Sequence, residues 1–261
     1  MSFTGKSPSE TYKDIVYVGG NNTGVDGTLQ VLKTGDGSNT SLRISNTSLA
    51  IAPSSDSTTT LTVTDSGGNS KLLVDTTNDY VKANGVHVNT QYAHFGVLYN
   101  DSSSLVANTH YPISFGMGAQ STISDIDFGT GTDPDTSFTT ANTDTQYASQ
   151  IVPCMWYVPD NISIDSVVSI EGADAATGDT TRMHLYSFTF NSGSTSALAD
   201  GTLLAHNSDV TNAGNEQAYK STWTIDSASV AGGKVILAFF RSDSVNSDYS
   251  TNITVKYHIT G

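Results

Sequence analysis

The sequence predicts an all-β protein, in which an N-terminal intertwined trimeric β-stem is followed by a jelly-roll-like β-sandwich knob. Only 14% of the residues are charged, and the chain is rich in Gly, Ser, Thr, Asn and Asp, which favour turns over helix. Of the 25 acidic residues only Glu10, Glu171 and Glu216 are glutamates, the acidic residue that exposed helix faces usually carry. Short apolar-polar segments separated by turn clusters recur along the chain, and no segment shows a helical period.

Residues 1–14, MSFTGKSPSETYKD, are polar and too short to form a core, which predicts a terminal arm rather than a domain. The arm has no apolar run of the signal-peptide type. No run in the chain approaches the length of a membrane span, so we expect no membrane insertion.

Residues 15–90 are predicted to form the β-stem. Turn clusters separate eight strand-like segments: DIVYV, GTLQVL, SLRIS, SLAIA, TTLTVT, SKLLVD, DYVKA and GVHVN. Burying a Val or Leu side chain contributes roughly 1.5–3 kcal/mol, whereas ordering one residue costs roughly 1.5 kcal/mol. Because apolar and polar residues alternate and aromatic rings are few, the free energy that a lone ribbon gains by burial at best equals the cost of ordering it. We therefore expect a homotrimer, in which a three-fold axis closes a narrow core around small aliphatic side chains.

Residues 91–261 are predicted to form one β-sandwich, the knob. Both tryptophans and most aromatic residues lie here, and apolar runs recur with the number and spacing of jelly-roll strands. The run KVILAFF, residues 234–240, indicates a strand covered on both faces. The run YKSTWTI places Trp223 on an apolar face, so we expect it in the core. Cys154, the only cysteine, lies in the apolar run IVPCMWYV and is predicted to be a small buried thiol.

The charge distribution argues against nucleic acid as a partner. The net charge is −14, and binding to nucleic acid requires clustered Lys and Arg that replace the counterions of the phosphates. Residues 1–90 carry 6 basic and 8 acidic groups, whereas residues 91–261 carry 5 basic and 17 acidic groups. We interpret the acidic half as a solvated surface rather than a charged recognition patch.

No catalytic motif is recognisable, and the sequence predicts a protein that is not an enzyme and needs no cofactor. The six histidines show no paired metal-ligand spacing, and none neighbours a plausible nucleophile, although a cluster formed by folding stays open. Residues 125–135, DIDFGTGTDPD, contain four carboxylates: Asp125, Asp127, Asp133 and Asp135. The segment begins like a calcium loop, but Gly129 and Thr136 stand where its fifth and twelfth ligands belong. We interpret it as a solvated loop and predict no metal; an irregular calcium site and a glycosidase carboxylate pair are the alternatives.

The longest stretch without strand character, residues 119–146, lies inside the predicted knob. Loops of this length are uncommon in compact domains unless they are functional or disordered. Phe128 and Phe138 are apolar in polar surroundings, and large apolar side chains are usually buried, so the simpler interpretation is that they pack the loop onto the protein. The functional alternative is receptor contact, in which both rings stack on a sugar whose hydroxyls bond nearby Asp and Asn.

The segment GKSPSETYKD (5–14), followed by GVDG (24–27) and TGDGSNTSLRIS (34–45), resembles the N-terminal segment of fibre-like structural proteins of marine tailed bacteriophages. Residues 61–85, LTVTDSGGNSKLLVDTTNDYVKANG, are similar to the stems of such proteins. The resemblance covers about residues 4–90 and implies a virion appendage with an N-terminal particle anchor, a trimeric stem and a distal knob.

The resemblance also implies site residues and partners. The anchor part of the pattern is matched by Lys6, Pro8, Thr11, Tyr12, Lys13 and Asp14. The implied role is a tail fibre or spike that attaches the virion to its host. Its expected partners are other tail or capsid proteins, which it contacts through the arm, and a glycan or protein of the host surface. Its expected location is the virion, after assembly in the host bacterial cytoplasm. The alternatives are a capsid decoration or head-fibre protein without an essential receptor role, and a carbohydrate hydrolase, although no hydrolase motif of longer tailspikes is recognisable.

Overall fold

The structure of the protein is a computed structural model. It describes residues 15–19, 24–99, 106–116, 151–173, 177–194, 198–244 and 248–261. Apart from one 3-10 turn at Val152–Cys154, every regular element in these ranges is a β-strand, so the all-β fold class is confirmed. None of these elements is a helix of the length and apolarity needed to cross a membrane. The chain divides into two compact units, Met1–Val88 and Asn89–Gly261.

The first unit contains two four-stranded antiparallel meanders. The first is formed in chain order by β1 (Val16–Val18), β2 (Gln30–Thr34), β3 (Asn39–Ile44) and β4 (Leu49–Ile51). The second is formed in chain order by β5 (Leu61–Thr64), β6 (Ser70–Asp75), β7 (Tyr80–Ala83) and β8 (Val86–His87). Each of the eight strands overlaps one of the segments predicted from the sequence, and β2 and β3 extend two residues beyond theirs.

Local turn chemistry explains the hairpin between β5 and β6. The carboxylate of Asp65 accepts hydrogen bonds from the backbone N–H groups of Gly67 and Asn69, both at 2.9 Å. The bond from Asn69 holds the pKa of Asp65 below its usual range. Gly68 has a φ of 82°, a left-handed conformation that a glycine adopts without steric cost. The sequence DSGGN therefore specifies the turn, and the turn fixes the register of the two strands.

The described residues of the second unit form twelve strands in two antiparallel sheets. They are β9 (Thr90–Tyr99), β10 (Tyr111–Ile113), β11 (Trp156–Tyr157), β12 (Ile162–Ala173), β13 (Thr180–Phe190), β14 (Leu198–His206), β15 (Val210–Thr211), β16 (Gln217–Thr222), β17 (Thr224–Ile225), β18 (Ser229–Val230), β19 (Lys234–Ser242) and β20 (Tyr249–Ile259). One sheet has the order β10-β19-β13-β14-β17, with β11 beside β19 and β15 beside β13. The other has the order β16-β12-β20-β9, with β18 beside β12.

The two sheets of the second unit pack face to face around one hydrophobic core. Phe95 and Ile253 from one sheet join Leu185 and Ile236 from the other in a single buried cluster, and all four are fully buried. Alternating apolar residues on both inner faces are the layered arrangement of a β-sandwich. Its assignment as a jelly roll stays a prediction.

The central strand β19 is buried on both faces, as the run KVILAFF predicts. Alternate residues face opposite sides: Ile236, Ala238 and Phe240 enter the core between the sheets, whereas Val235, Leu237 and Phe239 enter a second cluster on the outer face. The other buried members of that outer cluster are Ile151, Cys154, Tyr186 and Phe188. The prediction of a buried Cys154 is confirmed, and burial raises the pKa of its thiol to about 12. A thiol that stays protonated is not a nucleophile.

The run YKSTWTI forms two strands instead of one. Its first part, β16, pairs with β12, whereas its second part, β17, pairs with β14 in the other sheet. Trp223 lies at the crossing, is 5% exposed, and donates a hydrogen bond from Nε1 to Oγ of Ser169 at 2.9 Å. The prediction that Trp223 belongs to the core is confirmed.

Candidate functional site

The site residues predicted from the sequence lie outside the described ranges. They are the anchor residues Lys6, Pro8, Thr11, Tyr12, Lys13 and Asp14, the receptor residues Phe128 and Phe138, and the loop carboxylates Asp125, Asp127, Asp133 and Asp135. Their roles therefore stay predictions. Three other features of the described residues are candidates for function.

The first candidate is one face of the second meander, which carries only apolar side chains. The register places Leu61 opposite Val74 and Val63 opposite Leu72, and the same face continues across β7 and β8. Directly opposite residues of an antiparallel pair share a face, as do alternate residues along a strand. The apolar meander face consists of Leu61, Val63, Leu72, Val74, Val81, Ala83 and Val86.

The described residues of a single chain cover the apolar meander face only in part. Val63 is 48% exposed, Val86 is 45% exposed, and no member of the face is buried. Across the described part of the first unit, Asp75 is the only buried residue, and no hydrophobic side chain is buried. The opposite face carries mostly polar groups, including Thr62 and Lys82. The second meander is thus an amphipathic layer whose apolar face has no second layer among the described residues.

The first meander carries a smaller patch of the same kind. Leu42 lies opposite Ile51, and Ile44 lies opposite Leu49, so the four side chains share one face. Leu49 is 68% exposed, and none of the four is buried. Both meanders therefore present apolar surface that a monomer would leave in water.

The second candidate is a polar site at one end of the sandwich, centred on Glu171. Its carboxylate is 4% exposed and accepts hydrogen bonds from Oγ1 of Thr181 at 2.8 Å, Oγ of Ser221 at 3.1 Å and Nδ2 of Asn207 at 3.2 Å. Glu171 lies on β12 and Thr181 on β13, so the carboxylate connects the two sheets. Burial raises the pKa of Glu171 above its usual range.

A small crevice lies beside Glu171 and has a volume of about 10 Å³, roughly the room that one water molecule needs. Its walls include Asp179, Asn212, Tyr219 and Tyr249. The hydroxyl of Tyr249 donates a hydrogen bond to Asp179 at 2.7 Å. Asn212 is only 6% exposed, yet neither Oδ1 nor Nδ2 of its side chain has a hydrogen-bond partner within the described residues. The backbone of Asn212 is fixed by bonds to Gly178 and Asp179, so the amide is held in place.

The third candidate is a row of histidines on the outer face of the other sheet. His184 is fully buried, with its ring 5.1 Å from that of His110 and 6.3 Å from that of His206. Burial, with added repulsion from nearby cationic groups, lowers the pKa of His184 to about 2. Its two ring nitrogens have no hydrogen-bond partner in the described part of the chain.

The histidine row contains a histidine beside a carboxylate, which are two of the three groups of a catalytic triad. Nδ1 of His206 lies 2.7 Å from Oδ2 of Asp226, and both side chains are partly exposed. Within the described ranges, Asp226 is the only side chain that forms a hydrogen bond with His206. The nucleophile that a catalytic triad requires is therefore not in place among these residues. The row therefore supports no catalytic assignment.

Sequence reasoning missed Glu171, Asn212 and the histidine row. Glu171 carries a usable signal, because it continues the alternation of Val167 and Ser169, which face the core along β12. The meeting of His184 with His206 depends on the pairing of β13 with β14, which nothing near either histidine specifies.

Comparison with models of known protein families gives no match for this sequence, and comparison with curated proteins gives none either.

Proposed function

We propose that this chain is a structural protein of a bacteriophage particle, a homotrimeric appendage of the tail-fibre or spike type that takes part in host attachment. The observation that carries the proposal is the apolar meander face in a unit where no described hydrophobic side chain is buried. Such a layer is stable only when further apolar surface covers it. The most economical source of that surface is the same face of other copies of the chain.

Three copies suit this face better than two. Its side chains are Val, Leu and Ala, without an aromatic ring, and such small groups fill the narrow space between three sheets arranged around an axis. Each Val or Leu side chain transferred from water contributes roughly 1.5–3 kcal/mol. β5 and β8 are the outer strands of the second meander, and outer strands are places where a neighbouring chain can pair.

The remaining parts of the chain fit the same proposal. The arm and the first unit carry the resemblance to fibre-like virion proteins, and the arm is the proposed contact with other virion proteins. The second unit has its own core and serves in this proposal as a distal, jelly-roll-like knob. The proposal assigns no catalytic role to the chain. Immunogold labelling of intact particles would distinguish a tail appendage from a head fibre or capsid decoration.

Native mass spectrometry of the full chain is expected to give a mass of three copies, since the described residues of one chain leave much of the apolar meander face exposed. Sedimentation velocity provides an independent measurement in solution. A monomer whose first unit keeps its β-structure, as seen in protease resistance of residues 15–88, would contradict the proposal.

Deletion of residues 1–14 is expected to leave a folded trimer that no longer enters particles, because the arm is too short and polar to form a core but carries the proposed anchor. Purified particles from a complementation experiment would be probed for the truncated chain, with the full chain as the matched control. Unfolding of the second unit on deletion would show that the arm has a structural role instead.

A further inference from the structure

We propose that a cluster of basic side chains on the outer face of the sheet that contains β13 and β19 binds a small oxyanion, a phosphate or carboxylate group. The basic cluster consists of His110, Arg182, His184, His206 and Arg241. This inference goes beyond the proposed function and does not depend on it, because every residue that carries it belongs to the second unit.

The pairing of three strands brings the basic cluster together. Arg182 of β13 lies directly opposite Arg241 of β19, and His184 of β13 lies directly opposite His206 of β14. Directly opposite residues share a face of a sheet, and so do alternate residues of a strand, so all four side chains lie on one face. Like charges that lie directly opposite each other destabilise a sheet. The pair of arginines is therefore unfavourable unless a negative group joins it.

The first argument is the guanidinium of Arg241, which belongs to a residue that is only 8% exposed. Charged side chains are almost never buried without a partner of opposite charge, because removing the charge from water is costly. Within the described ranges, no carboxylate forms an ion pair with Arg241. Its Nη2 donates to the neutral Oδ1 of Asn108, and its Nε has no partner there. An oxyanion would supply both the charge and the acceptors.

The second argument is the set of unused donors around Arg241. Nε of Arg182 is buried and has no hydrogen-bond partner in the described part of the chain, and the same holds for both ring nitrogens of His184. Buried polar groups in proteins are nearly always hydrogen-bonded. A guanidinium binds an oxyanion through two parallel N–H bonds, and an imidazole can donate one more. The unused donors are therefore of the kind that holds an oxyanion.

The third argument is access from solvent. The side chain of Arg182 is 27% exposed and that of His206 is 25% exposed, so the basic cluster reaches the surface beside β13 and β14. Asp209 lies 3.7 Å from Nη1 of Arg182 and is 55% exposed, and exposed ion pairs of this kind contribute little. Arg182 can therefore exchange Asp209 for an oxyanion from solvent, with Arg241 on the inner side of the site.

Charge also selects the class of ligand. Two guanidinium groups repel a metal ion, and a neutral ligand would leave the charge of Arg241 uncompensated. The whole chain has a net charge of −14, which repels anions at long range. Binding of an anion to this chain therefore requires a local group of basic side chains.

Isothermal titration calorimetry of the full chain at pH 7.5 and fixed ionic strength tests the site with sodium phosphate, glucuronate and glucose. We expect at least one of the two anions to bind with a dissociation constant on the order of 1 mM, and glucose not to bind. Tighter binding of phosphate would identify the free anion as the better ligand, and tighter binding of glucuronate would identify an acidic sugar. Equal binding of glucose and glucuronate would contradict an oxyanion site.

Arg241→Met removes the buried charge and keeps most of the side-chain volume, and we expect it to weaken anion binding about tenfold or more. Arg182→Gln is expected to have a similar effect, and its partly exposed position makes it a second variant that keeps the fold. Lys220→Gln is the matched control, because it removes the same charge from an exposed position on β16 of the other sheet. Melting curves in chloride check that each variant is folded.

Loss of anion binding in both arginine variants, but not in Lys220→Gln, is the expected result. Absence of anion binding by the wild-type chain, or binding that the folded arginine variants retain, would overturn the oxyanion site. Either result would leave the trimer and its place in the virion untouched. An anion-binding chain that is monomeric and absent from particles would overturn the proposed function alone.

Discussion

Replacing Val63 by Asp is expected to convert the trimer into monomers. Val63 belongs to the apolar meander face and is 48% exposed in a single chain, so the monomer accommodates a carboxylate there. In the proposed trimer three carboxylates would lie together in an apolar core. Burial costs several kcal/mol for each ion, and like charges within one core add to it. Native mass spectrometry at neutral pH would show one chain per particle instead of three.

Thr62→Asp is the matched control for this experiment. Thr62 is the preceding residue of the same strand, is exposed, and points to the opposite, mostly polar face. Its substitution adds the same charge and is expected to leave three chains together. Dissociation by both variants, or by neither, would show that the apolar meander face is not the contact between copies.

Lowering the pH from 7 to 5 is expected to reduce the free energy of unfolding of the second unit by about 2 kcal/mol through His184 alone. The pKa of His184 is lowered in the folded chain from 6.5 to about 2, so only the unfolded chain binds this proton in that pH range. The stability that His184 contributes is therefore complete above pH 6.5 and falls as the pH drops below it. His110, His206, Arg182 and Arg241 surround the ring and oppose its protonation.

The measurement is denaturant unfolding of the full chain, followed by tryptophan fluorescence at pH 7 and pH 5. Both tryptophans, Trp156 and Trp223, lie in the core of the second unit and report its unfolding. His184→Phe is expected to remove about 2 kcal/mol of the difference between the free energies of unfolding at pH 7 and pH 5. The substitution breaks no hydrogen bond among the described residues, because the ring nitrogens of His184 have no partner there. His94→Phe, at a half-buried histidine of β9, is expected to keep it. Equal pH dependence in wild type and His184→Phe would refute the assignment.

Strand positions were predictable because local chemistry marks their ends. Asp65 and Gly68 define a turn between two alternating segments, and similar turn residues separate the other described strands of the first unit. The double burial of β19 follows equally from an unbroken apolar run. Pairing partners were not predictable in the same way. Residues 219–225 keep one alternation throughout, yet the chain changes sheets at Trp223, because alternation records which side is buried and not which strand lies beside it.

The candidate sites differ in the same way: one follows from local sequence, and the others depend on which strands lie side by side. The apolar meander face follows from the sequence, because its members alternate along β5, β6 and β7, and the need for a neighbour was predicted from that alternation and from the small number of aromatic rings. The crevice and the histidine row are products of tertiary structure. Asn212 and Glu171 are separated by several strands, and only the packing of the two sheets brings them to one crevice.

The pairing of β9 with β20 has a mechanical consequence. β9 is the first strand of the second unit, and all ten of its residues are in register with β20. On its other side Gly96 donates to Ser114 at 3.1 Å, and Gly116 donates to His94 at 2.7 Å. Tension applied along β9 from residue 89 would load this ladder in shear, so that many hydrogen bonds must break together before the core is pulled open. The first strand of the second unit is therefore held by a hydrogen-bond ladder that resists sustained force.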